Sequence, residues 1–218
     1  MNDAAPAFFS AEDFRARARA RLSLDLPEDA LNPLIAPRRG DFALNTLTPD
    51  ENAVGAARPA AVLAPIVARP EGATVLLTQR AAALRQHSGQ VAFPGGKIDD
   101  KETPLQAALR ESMEEIGLDA RLIEPTGWLD PYLTGTGYRI LTMTAIVDPS
   151  FTLTINPAEV DDVFETPLSF LMNAANHQRQ SREWQGRMRH FYVMPHENHY
   201  IWGATAGIIR NLYERLYA

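Results

Sequence analysis

The most constraining stretch of this 218-residue chain lies between residues 95 and 118, where a pair of glycines leads into an amphipathic helix. Thr103 suits an N-cap, Pro104 the first helical position and Gln106 the partner in a capping box, so the spacing predicts a helix over 104–116. Gly117 suits the left-handed residue that ends it. On a 3.6-residue period Glu111, Glu114 and Glu115 fall on one narrow face, while Leu105, Leu109, Ser112, Met113 and Ile116 gather behind them. Three neighbouring carboxylates repel one another unless a positive group sits among them. Oxygen ligands of this kind suit Mg²⁺ or Mn²⁺, which commonly bridges a few carboxylates and substrate phosphates. A glutamate-rich helix standing alone also reads as a solvated surface, so the wider spacing decides.

Around this helix the pattern is mixed. Residues 60–68 and 74–80 read as buried strands joined by a hairpin-like turn at Pro70-Glu71-Gly72. Further strands are predicted over about 121–129 and 138–148, then in the runs RMRHFYVMP and YIW, with a helix over about 204–216. The stretch beginning near Pro167 is helix-prone. Residues 11–22 predict a short helix capped by Ser10, with Glu12 and Asp13 in its first turn, and residues 26–58 predict an extended wrap. The alternating Arg and Ala residues of the first helix could suit an RNA-binding arm, but a solvated helix face is the simpler reading. Strands with interposed helices indicate an α/β sandwich.

Composition removes several classes of function. A net charge of −6 gives no general attraction for nucleic acid or anionic lipid, so neither is expected as a partner. The absence of cysteine removes disulfides, thiolate metal sites and cysteine nucleophiles. No segment reaches the roughly 18 apolar residues that span a bilayer, and the first residues lack a signal-peptide pattern. A soluble, cytoplasmic protein is expected.

The segment fits the pattern G-x5-E-x7-R-E-U-x-E-E-x-G-U, met by Gly96, Glu102, Arg110, Glu111, Glu114, Glu115 and Gly117, with Ser112 where an aliphatic residue is preferred. At typical residue frequencies a chance match is on the order of one in a million. The pattern is the Nudix box, and the sequence resembles the Nudix hydrolase superfamily. That resemblance implies an α/β/α sandwich with a mixed sheet, with residues 1–45 as an N-terminal extension and 46–218 as the hydrolase domain. It implies Glu111 and Glu115 as principal ligands of Mg²⁺ or Mn²⁺, with Glu114 contributing and the Gly96 carbonyl as a further ligand. Glu102 and Arg110 are implied to be structural, an ion pair tying loop to helix, with Gly117 closing the motif. Which glutamate is the general base stays open.

A second block, residues 76–96, matches LLTxR[SA]x3Rx3Gx3FPGG at every specified position and resembles the coenzyme A diphosphatase branch. Arg80 and Arg85 are the natural phosphate partners, since guanidinium forks match phosphate oxygens, and Gly95 is counted with them at the substrate. The resemblance implies cleavage of coenzyme A, a small-molecule nucleotide, to 3′,5′-ADP and 4′-phosphopantetheine. Alternatives are a Nudix pyrophosphatase for ADP-ribose, NADH or related molecules, and a non-catalytic Nudix-fold binding module. Residues 156–168 resemble the loop and strand that supply another catalytic acid. Glu159 is the first choice there, with Asp161 and Asp162 as rivals. His87 lies where it can touch phosphate, and Tyr200 or Trp202 could stack on adenine. His190, His196 and His199 fit packing better than ligation. A homodimer is compatible with the resemblance.

Overall fold

The computed structural model describes residues 7–28, 30–45, 51–84, 87–184 and 186–218. At its centre β2 (Arg58–Val67) and β8 (Tyr138–Val147) run parallel, from Arg58 opposite Tyr138 to Val67 opposite Val147. Beyond β8 come β7 (Tyr132–Leu133) and β1 (Arg39–Gly40), while β6 (Ile123–Trp128) pairs antiparallel with β8. On the other side lie β3 (Thr74–Arg80), β4 (Val91–Ala92), β5 (Gly95–Lys97) and β9 (Val160–Pro167), completing a mixed nine-stranded sheet. A smaller antiparallel sheet joins β10 (Gln178–Trp184), β11 (Arg187–His196) and β12 (His199–Trp202). The helices are α1 (Ala11–Arg21), α2 (Glu51–Gly55), α3 (Pro104–Ile116), α4 (Leu168–Leu171) and α5 (Gly203–Leu216).

Alternation along the central strands builds two cores. Ala61, Leu63 and Val67 of β2 and Leu141, Met143, Ala145 and Val147 of β8 face α3. Ala64 and Ile66 of β2 face the opposite layer, made by α1 and α5 through Phe14, Ala18, Ile209, Leu212 and Leu216. The result is an α/β/α sandwich. The α1 helix and β1 pack onto this body, since α1 buries Phe14 fully and β1 pairs with β7. Two of the α1 arginines, Arg15 and Arg17, turn partly inward, whereas Arg19 stays 73% exposed. Arg15 pairs with Glu124 at 2.9 Å, and Arg17 pairs with Asp13 and donates to the Leu216 carbonyl. The expected solvated face is therefore kept by Arg19 and Arg21, while Arg15 and Arg17 tie the helix to its neighbours.

The outer edge of β2 is shared. Ala60–Val62 pair with Lys97–Gly95 of β5, whereas Ile66 and Val67 pair with β3. The Leu63 N–H donates to Pro94 O at 2.9 Å, so residues 63, 65 and 67 present their N–H positions to this edge. Pro65, which has no N–H, therefore stands at the fork between the two partners, where a central strand tolerates it. The same fork lets Gly95 and Gly96 turn in under α3.

Helix α3 begins at Thr103, whose hydroxyl accepts from Gln106 N, while the Gln106 side chain accepts from Thr103 N at 2.8 Å. It ends at Gly117 in the left-handed region, with φ of 70°. Replacing Thr103 with alanine should cost about 1 kcal/mol, read as a lower denaturant midpoint at unchanged slope. Its buried face runs through Ala107, Ala108, Ser112, Glu115 and Ile116, so Met113, expected behind the helix, is 48% exposed. Ser112 is satisfied there by donating to the Ala108 carbonyl at 2.7 Å.

The helix-prone stretch after Pro167 gives only α4 and a 3-10 turn at 174–176. Asn173 accepts from Ala175 N and starts a new turn, and His177 bonds the Leu171 carbonyl, so local side chains replace helix continuation. The segment 26–58 carries the short elements β1 and α2 besides a wrapping course.

Candidate active site

The two glycines meet the carboxylate helix at a separation that permits nothing larger. A Cβ on Gly95, whose φ is 149°, would lie 2.4 Å from the Ala61 carbonyl oxygen and 2.5 Å from Val62 Cα. A Cβ on Gly96 would lie 2.5 Å from the Glu111 carboxylate. The Gly95 N–H donates to Glu115 Oε2 at 3.1 Å, fixing the buried acid against the turn.

Glu111, Glu115 and Glu159 offer carboxylate oxygens that all lie within 4.8 Å of one another. Glu159 arrives from the loop ahead of β9. That loop is pinned to the end of α3, because Asn156 N donates to the Glu115 carbonyl at 2.9 Å and the Asn156 side chain donates to Glu159 Oε1 at 3.1 Å. Its two neighbours turn elsewhere, Asp161 accepting from Ala82 N and Asp162 bonding His199. Glu114 does not join the triad. Its side chain is 53% exposed and captured by Arg110, one helical turn earlier, at 3.0 Å.

Arg110 is the hub behind these acids. Its guanidinium donates to both Glu102 oxygens, at 2.9 and 3.0 Å, and also to Glu111, Glu114 and the Lys97 carbonyl. The Arg110 side chain holds the Glu102 carboxyl below its ordinary range. Glu115 is different. Burial pushes its carboxyl up to about 7, against the Gly95 N–H and Arg80, which favour the charged form. Burial also raises Glu111, opposed by Arg110. A converging set of oxygen donors, one of them almost wholly buried, suits a hard divalent cation.

Gly95, Gly96, Glu111, Glu115 and Glu159 line one side of a cavity of about 540 Å³. Arg80 borders it 3.9 Å from Glu115 Oε1, and its Nε is buried with no hydrogen-bond partner among the described residues. His87 and Trp202 also line the cavity. Tyr200 does not, and its hydroxyl donates to Gln180. His190, His196 and His199 disperse to Ser181, Phe170 and Phe164, sharing no site among the described residues. Arg85 lies outside the described residues. The far wall, formed by Asp41, Thr134, Thr136 and Tyr138, carried no signal in local spacing. It comes together only through pairing of β1 with β7, elements more than ninety residues apart.

The sandwich thus brings a glycine turn and a carboxylate helix to one cleft. Residues 57–185 match the NUDIX domain family. The chain is 40% identical over 156 residues to the uncharacterized Nudix hydrolase NudL of Escherichia coli O7:K1 (strain IAI39 / ExPEC), covering 71% of this chain and 81% of that protein. It is 39% identical over 160 residues to NudL of Photorhabdus laumondii, covering 73% and 85%. Among solved structures it is similar to the Nudix hydrolase RenU of M. smegmatis, at 28% identity and a TM-score of 0.42, covering 52% of this chain and 72% of that one. The chain belongs to the Nudix hydrolase family, whose members act on nucleoside diphosphate derivatives and generally use divalent metal ions. No helix among the described residues is long and apolar enough to cross a membrane.

Proposed function

We propose that this enzyme hydrolyses the diphosphate of coenzyme A or its derivatives, giving 3′,5′-ADP and 4′-phosphopantetheine or its acyl form. The observation that carries the reading is Arg80. Its Nε is buried beside an acidic cluster without an acceptor among the described residues, and a buried unmade donor is costly. A substrate phosphate oxygen is the matching acceptor, and Arg80 belongs to the block that resembles the coenzyme A branch. Arg85 of the same block and the Gly95 backbone complete the assigned substrate contacts.

Glu111 and Glu115, with the Gly96 carbonyl, would hold Mg²⁺ or Mn²⁺, which when bound would neutralise phosphate charge and acidify water, leaving Glu159 beside them as the unbound carboxylate. The residues of the chain then position the reaction. Arg80 orients the diphosphate for in-line attack, and Glu159 takes the proton of the attacking water at its carboxylate. A new P–O bond forms as the anhydride P–O bond breaks, and the departing phosphate leaves with the bridging oxygen. Glu102 and Arg110 keep the glycine turn seated on α3. The reading includes a cytoplasmic setting, and residues 1–45 as an extension of a hydrolase domain at 46–218.

The test is product analysis by mass after incubation with Mn²⁺ or Mg²⁺ and coenzyme A, dephospho-coenzyme A, ADP-ribose or NADH. Preferential conversion of coenzyme A to 3′,5′-ADP is expected. Faster cleavage of ADP-ribose or NADH would overturn the substrate while keeping the hydrolase.

A further inference from the structure

The cavity is longer than the diphosphate chemistry requires, and its two ends differ. Across the sheet its lining passes from β5 over Val62 of β2 and Ile140 and Tyr138 of β8 to Thr134 and Thr136, which follow β7, and Asp41, which follows β1. Four strand spacings of about 4.8 Å put the β1 edge on the order of 19 Å from the glycine turn. Arg80 lies at the catalytic end. At the other end stands Asp41, which follows β1 and is held in place from several sides. Its Oδ1 accepts from the Tyr132 hydroxyl at 2.8 Å and its Oδ2 from Gly135 N at 2.7 Å. Its own N–H donates to the Leu133 carbonyl at 3.0 Å, and Asn45 anchors the following turn by accepting from His190 N. Gly40 before it is forced by the same approach, since a Cβ there would lie 2.4 Å from the Leu133 carbonyl oxygen.

A carboxylate offers about four acceptor sites, so two remain on Asp41 among the described residues after these bonds. Thr134 and Thr136, hydroxyl-bonded to each other at 3.1 Å, add further polar groups to that end. We infer that Asp41 is a specificity-determining residue, reading the amide and hydroxyl donors of the non-nucleotide arm of the substrate. The arm therefore runs across the sheet toward β1, and the phosphorylated nucleoside stays at the catalytic end. This rests on the coenzyme A reading. The pantetheine arm is neutral, carries two amide N–H groups and a hydroxyl, and when extended spans on the order of 15 Å at polypeptide-like reach. A second phosphate would be repelled by Asp41. The competing orientation has one attraction, since Arg189 reaches the Gly135 turn on the same rim.

The test compares Asp41→Asn and Asp41→Ala with the unaltered enzyme, using 4′-phosphopantetheine and 3′,5′-ADP as competitive inhibitors of coenzyme A hydrolysis. Thr136→Val serves as a second variant that leaves the Asp41 anchor intact. Loss of the contact should weaken inhibition by 4′-phosphopantetheine about tenfold and raise KM for coenzyme A and dephospho-coenzyme A alike. Inhibition by 3′,5′-ADP should change less than about twofold. Weaker or stronger binding of 3′,5′-ADP in the variants would place the nucleotide at Asp41 and overturn the inference, as would no change in either inhibitor. Failure of the unaltered enzyme to hydrolyse coenzyme A would instead overturn the substrate reading itself.

Discussion

Glu115→Gln is expected to lower kcat by about three orders of magnitude and, in the same metal-free protein, to raise stability at pH 8. The first effect follows from removing a charged ligand at the centre of the triad, worth several kcal/mol in the transition state. The second follows from burial. Glu115 has its carboxyl pushed up to about 7 from an ordinary 4.5. Between those values the folded chain keeps a proton that the unfolded chain has released. The stabilising contribution of the protonated acid is therefore fully present below pH 4.5 and is lost as pH rises through about 7. The loss is on the order of 3 kcal/mol, because the side chain is only 4% exposed. Glutamine, neutral throughout, does not suffer it. In chelator, the variant and the parent should melt alike near pH 4.5, and the variant should melt roughly 8 °C higher at pH 8. A difference independent of pH would contradict the burial argument. Activity and stability conflict at this residue, as they do where a charge is held ready for a ligand.

Gly95→Ala should cost more than about 3 kcal/mol and lower Tm by roughly 10 °C, because the new methyl meets fixed backbone. The atoms in its way are the Ala61 carbonyl oxygen and Val62 Cα, both in the central strand. Moving them would disturb the pairing of β2 with β8. Gly96→Ala makes a useful contrast. Its methyl would meet the Glu111 carboxylate, the far end of a side chain that can swing aside. That variant should fold with a smaller loss in Tm and lose most of its activity. Thermal melts of both variants beside a turnover assay separate the two outcomes. Equal melting temperatures would show that the β2 backbone yields more readily than its neighbours suggest.

Local chemistry was readable wherever it is written locally. The caps of α3, the hairpin at Gly72 and the final helix depend on residues within a few positions of one another, and these emerged near their expected limits. The exposed Met113 did not. Periodicity gives the angle between side chains, whereas the sheet below sets how the helix is rolled, and here it rolls Glu115 inward. Strand β10 was missed because Gln178, Arg179, Gln180, Ser181, Arg182 and Glu183 show no apolar alternation, and β11 alone recruits them. At the site, the two glycines and the α3 acids share one motif. Sequence already ranked Glu159 ahead of Asp161 and Asp162, and the Asn156 loop seen against α3 brings the Glu159 carboxylate beside Glu111 and Glu115. Asp41 was beyond reach, since it enters the cavity through a two-residue parallel pairing with no local signature.

The bond from Arg17 to the Leu216 carbonyl joins residues 199 positions apart, and Arg215 answers it by donating to the carbonyl of Arg21. Synthesis therefore reaches the α3 side of the sheet long before α1 has its partner. Until residue 216 has left the ribosome, Phe14 and the apolar face of β2 that α5 covers stay open to solvent and to other chains. Such distant closure also slows folding, since its loop entropy is paid before its contacts form. A nascent chain halted before α5 would carry an assembled carboxylate helix and one uncovered core, making it the species most in need of a chaperone.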